Sequence, residues 1–137
     1  MLPVVMMVVG STDFLLGLFV RNTLQNAVRE GCRYAVTSRT MPGLGQTASI
    51  QQAARAQALG FVATDAQVTV KFFDKDGFGQ LTGSGANAGG NLVQVSIANF
   101  RWNWIIPRFL GAGPALVINV TSSDILEPSP SGVPPTL

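Results

Sequence analysis

The stretch of this sequence that most resembles a ligand site is DKDGFGQL, where Asp74 and Asp76 precede a glycine. Calcium loops likewise place oxygen ligands at alternate positions ahead of a glycine. Here Phe78 occupies the third ligand position, and no Glu stands at the twelfth position to complete the coordination sphere. We therefore predict a hairpin turn at Asp76-Gly77 and no metal site, with Asp74 and Asp76 as the weak metal candidates.

Side chains that could perform catalysis are scarce. The sequence has no His, which removes the commonest general base and excludes Ser/His/Asp and Cys/His catalysis. Pairs of Ser and Lys remain possible. Cys32 is the single cysteine, so no intrachain disulfide can form, and cysteine usage does not indicate a compartment. We predict that the protein is not an enzyme and carries no cofactor.

A Gly-rich segment, residues 74–90, contains the run GSGANAGG at residues 83–90. This run does not lie between a strand and a helix, and no Lys-Ser/Thr pair follows it, as a phosphate-binding loop would require. We therefore predict an exposed loop that cannot hold a core.

The composition narrows the class of protein further. Of the 137 residues, 47% are apolar and only 12% are charged, about half the charged share of a usual soluble domain. This balance indicates membrane contact or burial of much of the surface in an assembly. The net charge is +2, and the basic residues form no cluster, so we predict no nucleic-acid partner.

The elements that would position these residues begin with an apolar segment, residues 1–20. As a helix it would be about 30 Å long, enough to span a bilayer, and Pro3 suits its first turn. The segment has neither a basic start nor a small-residue cleavage site, so we predict a retained transmembrane helix and not a signal peptide. Its one acid, Asp13, either reaches water, is protonated, or makes a polar contact with a neighbouring subunit's helix.

The helix continues without a breaker through residues 21–38, now with amphipathic spacing. Its inner face carries Ala27, Gly31 and Ala35, a ladder of small residues that lets another backbone approach closely. Either the chain's own sheet or a neighbouring subunit could provide that backbone. We assign packing and assembly roles to this ladder and to four further residues of the helix. The full set is Pro3, Gly10, Asp13, Gly17, Ala27, Gly31 and Ala35.

The rest of the sequence predicts a small head and a tail. We expect a short helix at residues 48–59 and strands at about residues 67–73, 92–100 and 115–126. The predicted fold is α+β, with the second half of the long helix packed on an antiparallel sheet of about three strands. The head would span residues 21–127, and the Pro-rich tail, residues 128–137, would be extended and lie along a neighbouring subunit.

Two motifs resemble the TadE-like family of pilin-like proteins. The first comprises Leu2-Pro3, the acid pair Asp13-Phe14 and the segment LQNAVREGCRYAV, residues 24–36. The second is GGNLVQVSIANFRWNWIIPRFLG, residues 89–111, which combines glycines, an alternating strand, an aromatic residue and a turn that contains proline. The resemblance extends from Leu2 to about Leu126. A Glu-Phe pair that members usually carry ahead of the Leu-Pro has no counterpart here, and Asp13 matches the later acid.

The resemblance implies a structural subunit of an extracellular pilus-like filament that polymerises through its apolar helix. Its partners would be copies of itself in a helical homopolymer, the inner membrane before assembly, and the pilus assembly machinery. Two alternatives are a membrane-anchored minor pilin of that machinery and an adhesive head that uses the loop Gly77 to Gly90 as its contact surface.

Overall fold

A computed structural model describes residues 1–76, 79–104 and 115–137. Two α-helices precede a four-stranded antiparallel sheet within these residues, which confirms the predicted α+β class. The helices are α1 (Leu2–Val36) and α2 (Gln46–Gln57), and a 3-10 turn covers Asp65–Gln67. The strands are β1 (Val68–Phe73), β2 (Gln80–Leu81), β3 (Leu92–Trp102) and β4 (Leu116–Ile125).

The long helix α1 is continuous from the apolar segment into the head. Pro3 lies in its first turn, where no helical partner is lost, and no proline or capping signal interrupts the following 33 residues. The helix ends at Val36, two residues before the predicted boundary. Ser38 then adopts a positive φ of 52°, which turns the chain away from the helix axis.

The sheet has the strand order β2-β1-β3-β4, and all three described pairings are antiparallel. The sequence predicts about three strands, and the difference is β2, which has only two residues. A strand of this length within a Gly-rich segment shows no alternating pattern that sequence analysis could detect. The predicted turn with Pro107 lies outside the described residues.

A β-bulge in β3 changes which side chains face the core. Ile97 pairs with Val120 and Phe100 pairs with Ile118, so two residues of β3 oppose one residue of β4. Asn99, inside the bulge, has a φ of 57°, and its N–H donates to Oδ1 of Asn119 at 2.7 Å. Because the extra residue shifts the alternation, Phe100 and Trp102 pack on the core like the residues before the bulge.

One face of the sheet packs on α2 and on the C-terminal half of α1, and the head's core lies between these layers. Leu24 and Val28 of α1, Ile50 of α2 and Val95 of β3 are among its fully buried side chains. This is the packing predicted for the second half of the long helix.

The Gly-rich loop differs from its prediction. Ala86 and Asn87 are buried, although their neighbours from Thr82 to Gly85 are exposed. The loop therefore contributes to the core, because Asn87 binds partners from distant parts of the chain that local sequence does not reveal.

Candidate assembly and membrane surface

A continuous stripe of buried residues runs along most of α1. Its members are spaced three or four residues apart, as on one face of a helix, and they are Asp13, Gly17, Val20, Leu24, Ala27, Gly31 and Ala35. The stripe includes the predicted ladder of small residues. It also extends two turns into the apolar segment, as far as Asp13.

The atoms that lie close to Gly31 belong to the chain's own head. A Cβ atom placed on Gly31 would lie 3.0 Å from Cβ of Ala54 in α2 and 3.3 Å from Cγ1 of Val95 in β3. Ala27 and Ala35, one turn away on either side, are fully buried. The choice between the chain's own sheet and a neighbouring subunit is therefore decided for this ladder, which packs inside the single chain.

At Gly17 the head covers the apolar segment itself. A Cβ atom on Gly17 would lie 3.2 Å from Cζ3 of Trp104 and 3.6 Å from Cδ2 of Leu116. Asp13, one turn earlier, is only 4% exposed. Its low exposure disfavours the interpretation in which its carboxyl group reaches water directly.

An aromatic cluster attaches the next turn of α1 to the head. The ring of Phe61, which follows α2, contacts the rings of Phe19, Phe100 and Trp102, with centroids 6.4 to 6.5 Å apart. The interplanar angles of 73° to 84° are those of edge-to-face pairs, the favoured arrangement for aromatic rings. The sequence does not reveal this cluster, because its members come from α1, from the segment after α2 and from β3, which are distant in the chain.

Outside the stripe, the apolar segment is exposed. Its large uncovered side chains are Val4, Val5, Met6, Met7, Val8, Val9, Phe14, Leu15, Leu16, Leu18 and Phe19. Met7 is 77% exposed and Leu15 is 63% exposed. Pro3 is exposed as well, and a Cβ atom on Gly10 would meet nothing within 4 Å. Pro3 and Gly10 thus remain available for contacts outside the single chain.

By length and composition, α1 is the one helix in the described part of the chain that could cross a membrane. Its most apolar window of 18 residues has a mean hydropathy of 1.9, and 17% of that window is buried. A core helix of a soluble protein would have most of such a window covered. The predominantly exposed window therefore makes the apolar first half of α1 a candidate membrane span.

The predicted tail packs on its own head. The N–H of Gln46, at the start of α2, donates to the carbonyl oxygen of Thr136 at 2.7 Å, and Nδ2 of Asn87 donates to that of Pro135 at 2.7 Å. Asn87 Nδ2 also donates to Oε1 of Gln46. In the single chain the tail therefore closes over a buried amide pair of its own head. The contact with a neighbouring subunit, which the sequence predicts for the tail, stays a prediction.

Cys32 is buried between α1 and the sheet edge. Its thiol donates to the carbonyl oxygen of Ser122 in β4 at 3.1 Å. Burial raises the pKa of the Cys32 thiol above 9.0, although the bond with Ser122 opposes the rise. The neutral thiol thus serves packing and gives no nucleophile at neutral pH.

The two weak metal candidates lie at the end of β1. The N–H of Lys75 donates to Oδ1 of Asp74 at 2.8 Å, and Asp76 is exposed. No group of three or more His, Cys, Asp or Glu side chains is placed to hold a metal ion within residues 1–76, 79–104 and 115–137. The predicted turn at Asp76-Gly77 falls partly outside these residues.

Comparison with known proteins gives one match. A family model described as TadE-like protein matches residues 1–33, which cover α1 except for its last three residues. Comparisons with curated proteins and with solved structures found no match. The second predicted motif, residues 89–111, lies beyond the matched part. The TadE-like resemblance is thus confirmed for the N-terminal helix, and with the exposed apolar surface it fits a membrane-anchored, pilus-associated, pilin-like protein.

Proposed function

We propose that this chain is a structural subunit of an extracellular pilus-like filament and that it polymerises through the apolar segment of α1. The observation that carries this proposal is the exposed apolar surface from Val4 to Phe19 on a helix that continues into a water-facing head. The match of residues 1–33 to the TadE-like family model supports it.

A surface of this kind needs either lipid or other copies of itself. Contiguous apolar patches of this extent are rare on monomeric soluble proteins and mark interaction sites. Contacts between different patches of identical subunits that do not close into a ring produce helical filaments. In this proposal the segment lies in the inner membrane before assembly and in the apolar filament core afterwards.

The covered stripe limits which side of α1 can face a neighbour. Because the head occupies the face of Gly17 and Val20, subunit contacts at that level must use the opposite face, with Leu15 and Leu18. Nearer the N-terminus, from Val4 to Val9, the large side chains are exposed in every direction. The neighbouring helices would therefore surround the first turns and pack on one side of the later ones.

The proposal is tested by electron microscopy of material sheared from the surface of producing cells. We expect filaments in which mass spectrometry and antibody labelling identify this chain as the repeating unit. Recovery of the chain only from the membrane fraction, with no filaments that contain it, would contradict the proposal. That result would favour the membrane-anchored minor pilin instead.

A further inference from the structure

Over two turns of the candidate membrane span, from Phe14 to Phe19, one face of α1 is exposed and another face is covered by the head. Phe14, Leu15 and Phe19 are each more than half exposed, and Leu15 lies on the face of α1 opposite Gly17. On the Gly17 face, Cζ3 of Trp104 would lie 3.2 Å from a Cβ atom on Gly17. Whatever surrounds the exposed side of these turns therefore also lies beside Trp104.

The direction of β3 identifies which part of the head is involved. Val95 lies against Gly31, whereas Trp104, just after the strand, lies against Gly17, so β3 runs antiparallel to α1. Cδ2 of Leu116, the first residue of β4, would likewise lie 3.6 Å from a Cβ atom on Gly17. Among the described residues, the end of the β3–β4 pair is consequently the part of the head that lies beside the apolar segment of α1.

If the span enters a bilayer, this docked end has three possible positions. Leaving residues 14–19 in water would keep several large apolar side chains hydrated, which costs about 25 cal/mol for each Å² of apolar surface. Undocking the head would break the contacts of Gly17 with Trp104 and the cluster around Phe61. Lowering the strand end into the headgroup layer costs neither of these.

The side chains at this end suit the headgroup layer. Trp104 is partly exposed, and Trp is enriched at membrane–water interfaces because its ring is apolar and its N–H is polar. Trp102 packs on the core, and its Nε1 atom is buried. Arg101 precedes Trp102, and Arg21 follows Phe19 by two residues; both are exposed. Exposed Arg side chains beside an apolar surface favour contact with anionic lipid phosphates.

We infer that Trp104 and Leu116 form a second membrane-contacting surface, which lies in the headgroup layer of a phospholipid bilayer while the head stays docked on α1. The inference goes beyond filament formation and does not depend on it. It rests only on anchoring of the chain through α1. The occupant of this surface is the bilayer, and a second copy of the chain is the rival that the experiment must separate.

The test uses the intrinsic fluorescence of the full chain, because Trp102 and Trp104 are its only two tryptophans. The chain is reconstituted into vesicles of phosphatidylcholine and phosphatidylglycerol that carry bromine at a shallow or a deep acyl position. Trp102→Phe and Trp104→Phe isolate each ring. We expect the ring of Trp104 to be quenched, more strongly by shallow bromine than by deep bromine, at every ratio of protein to lipid. The ring of Trp102 packs on the core and should be quenched less.

Two placements of a single Trp in the Trp102→Phe/Trp104→Phe background provide the references. Leu15→Trp reports whether α1 is in lipid, and we expect quenching there. Ile125→Trp lies at the far end of β4, where the native side chain is 58% exposed, and we expect no quenching there. Far-UV circular dichroism confirms that each variant folds.

Several outcomes would overturn the inference. Quenching of Leu15→Trp without quenching of Trp104 would place the strand end in water. Protection of the Trp104 ring from bromine quenching that appears only at high protein-to-lipid ratios would identify a second copy of the chain as the partner. Absence of quenching at all positions would contradict anchoring itself. Each of these outcomes is distinct from the microscopy that tests filament formation.

Discussion

Of the three glycines in α1, Gly31 is the one where an added side chain would meet the closest neighbours. We predict that Gly31→Leu lowers the free energy of unfolding by about 1–3 kcal/mol, because a new side chain would overlap Ala54 and Val95. The measurement is the midpoint of urea unfolding in mild detergent. Gly10→Leu is the matched control in the same helix, since its Cβ meets nothing within 4 Å. Equal midpoints for the two variants would contradict the packing described at Gly31.

The buried thiol of Cys32 makes a pH-dependent contribution to stability. Burial raises the pKa of this thiol, so the folded state retains its proton at a pH where the unfolded state has lost it. The contribution is therefore fully present below the ordinary thiol pKa and is lost as the pH rises from 9.0 through the raised value. We predict that the stability difference between the wild type and Cys32→Ala is constant up to about pH 8 and shrinks above pH 9.0.

The variant Cys32→Ala serves as the reference because all other titrating groups are common to both proteins. Urea unfolding at a series of pH values measures the difference directly. A difference that stays constant through the alkaline range would show that the thiol titrates alike in the folded and unfolded states.

At the scale of elements, the tail depends on the amide pair of Gln46 and Asn87. We predict that Asn87→Ala lowers the free energy of unfolding by about 1–3 kcal/mol, because it leaves the buried Oε1 of Gln46 without this donor. The same change removes the bond with the carbonyl oxygen of Pro135. Carboxypeptidase should then release tail residues faster than in the wild type.

Asn103→Ala provides the control for this prediction, because Asn103 is an exposed amide outside the pair. Its unfolding midpoint and tail release should match those of the wild type. Wild-type rates of tail release in Asn87→Ala would indicate that the tail is held by its other contacts.

At the scale of the whole molecule, assembly should depend on the exposed apolar segment and not on the head's surface as such. We predict that Val8→Asp abolishes filaments, because a carboxylate would have to be buried in lipid or between helices. Ile125→Asp is the matched control, with native exposures of 60% for Val8 and 58% for Ile125. Electron microscopy of sheared material, together with urea unfolding of each purified full-length variant in mild detergent, would separate assembly from stability. Filaments of Val8→Asp at wild-type abundance would exclude the segment from the subunit interface.

Several features of this protein follow from the sequence alone. The three- and four-residue spacing along α1 identifies the long helix and its small inner face, because helix periodicity is a local property of the chain. The alternation at Val93, Val95 and Ile97 identifies β3 for the same reason. The motifs in the N-terminal helix indicate the TadE-like resemblance that the family comparison confirms.

Other features are decided only by the tertiary structure, because they join residues that are distant in sequence. The spacing of Gly31 predicts a close partner, but only the fold shows that Ala54 and Val95 fill that place. The bulge at Asn99 reverses the alternation and brings Trp102 onto the core face. The contact of Trp104 with Gly17 shows that the head extends over the apolar segment. Local periodicity gives each element a face, whereas what covers that face depends on the packing of the whole chain.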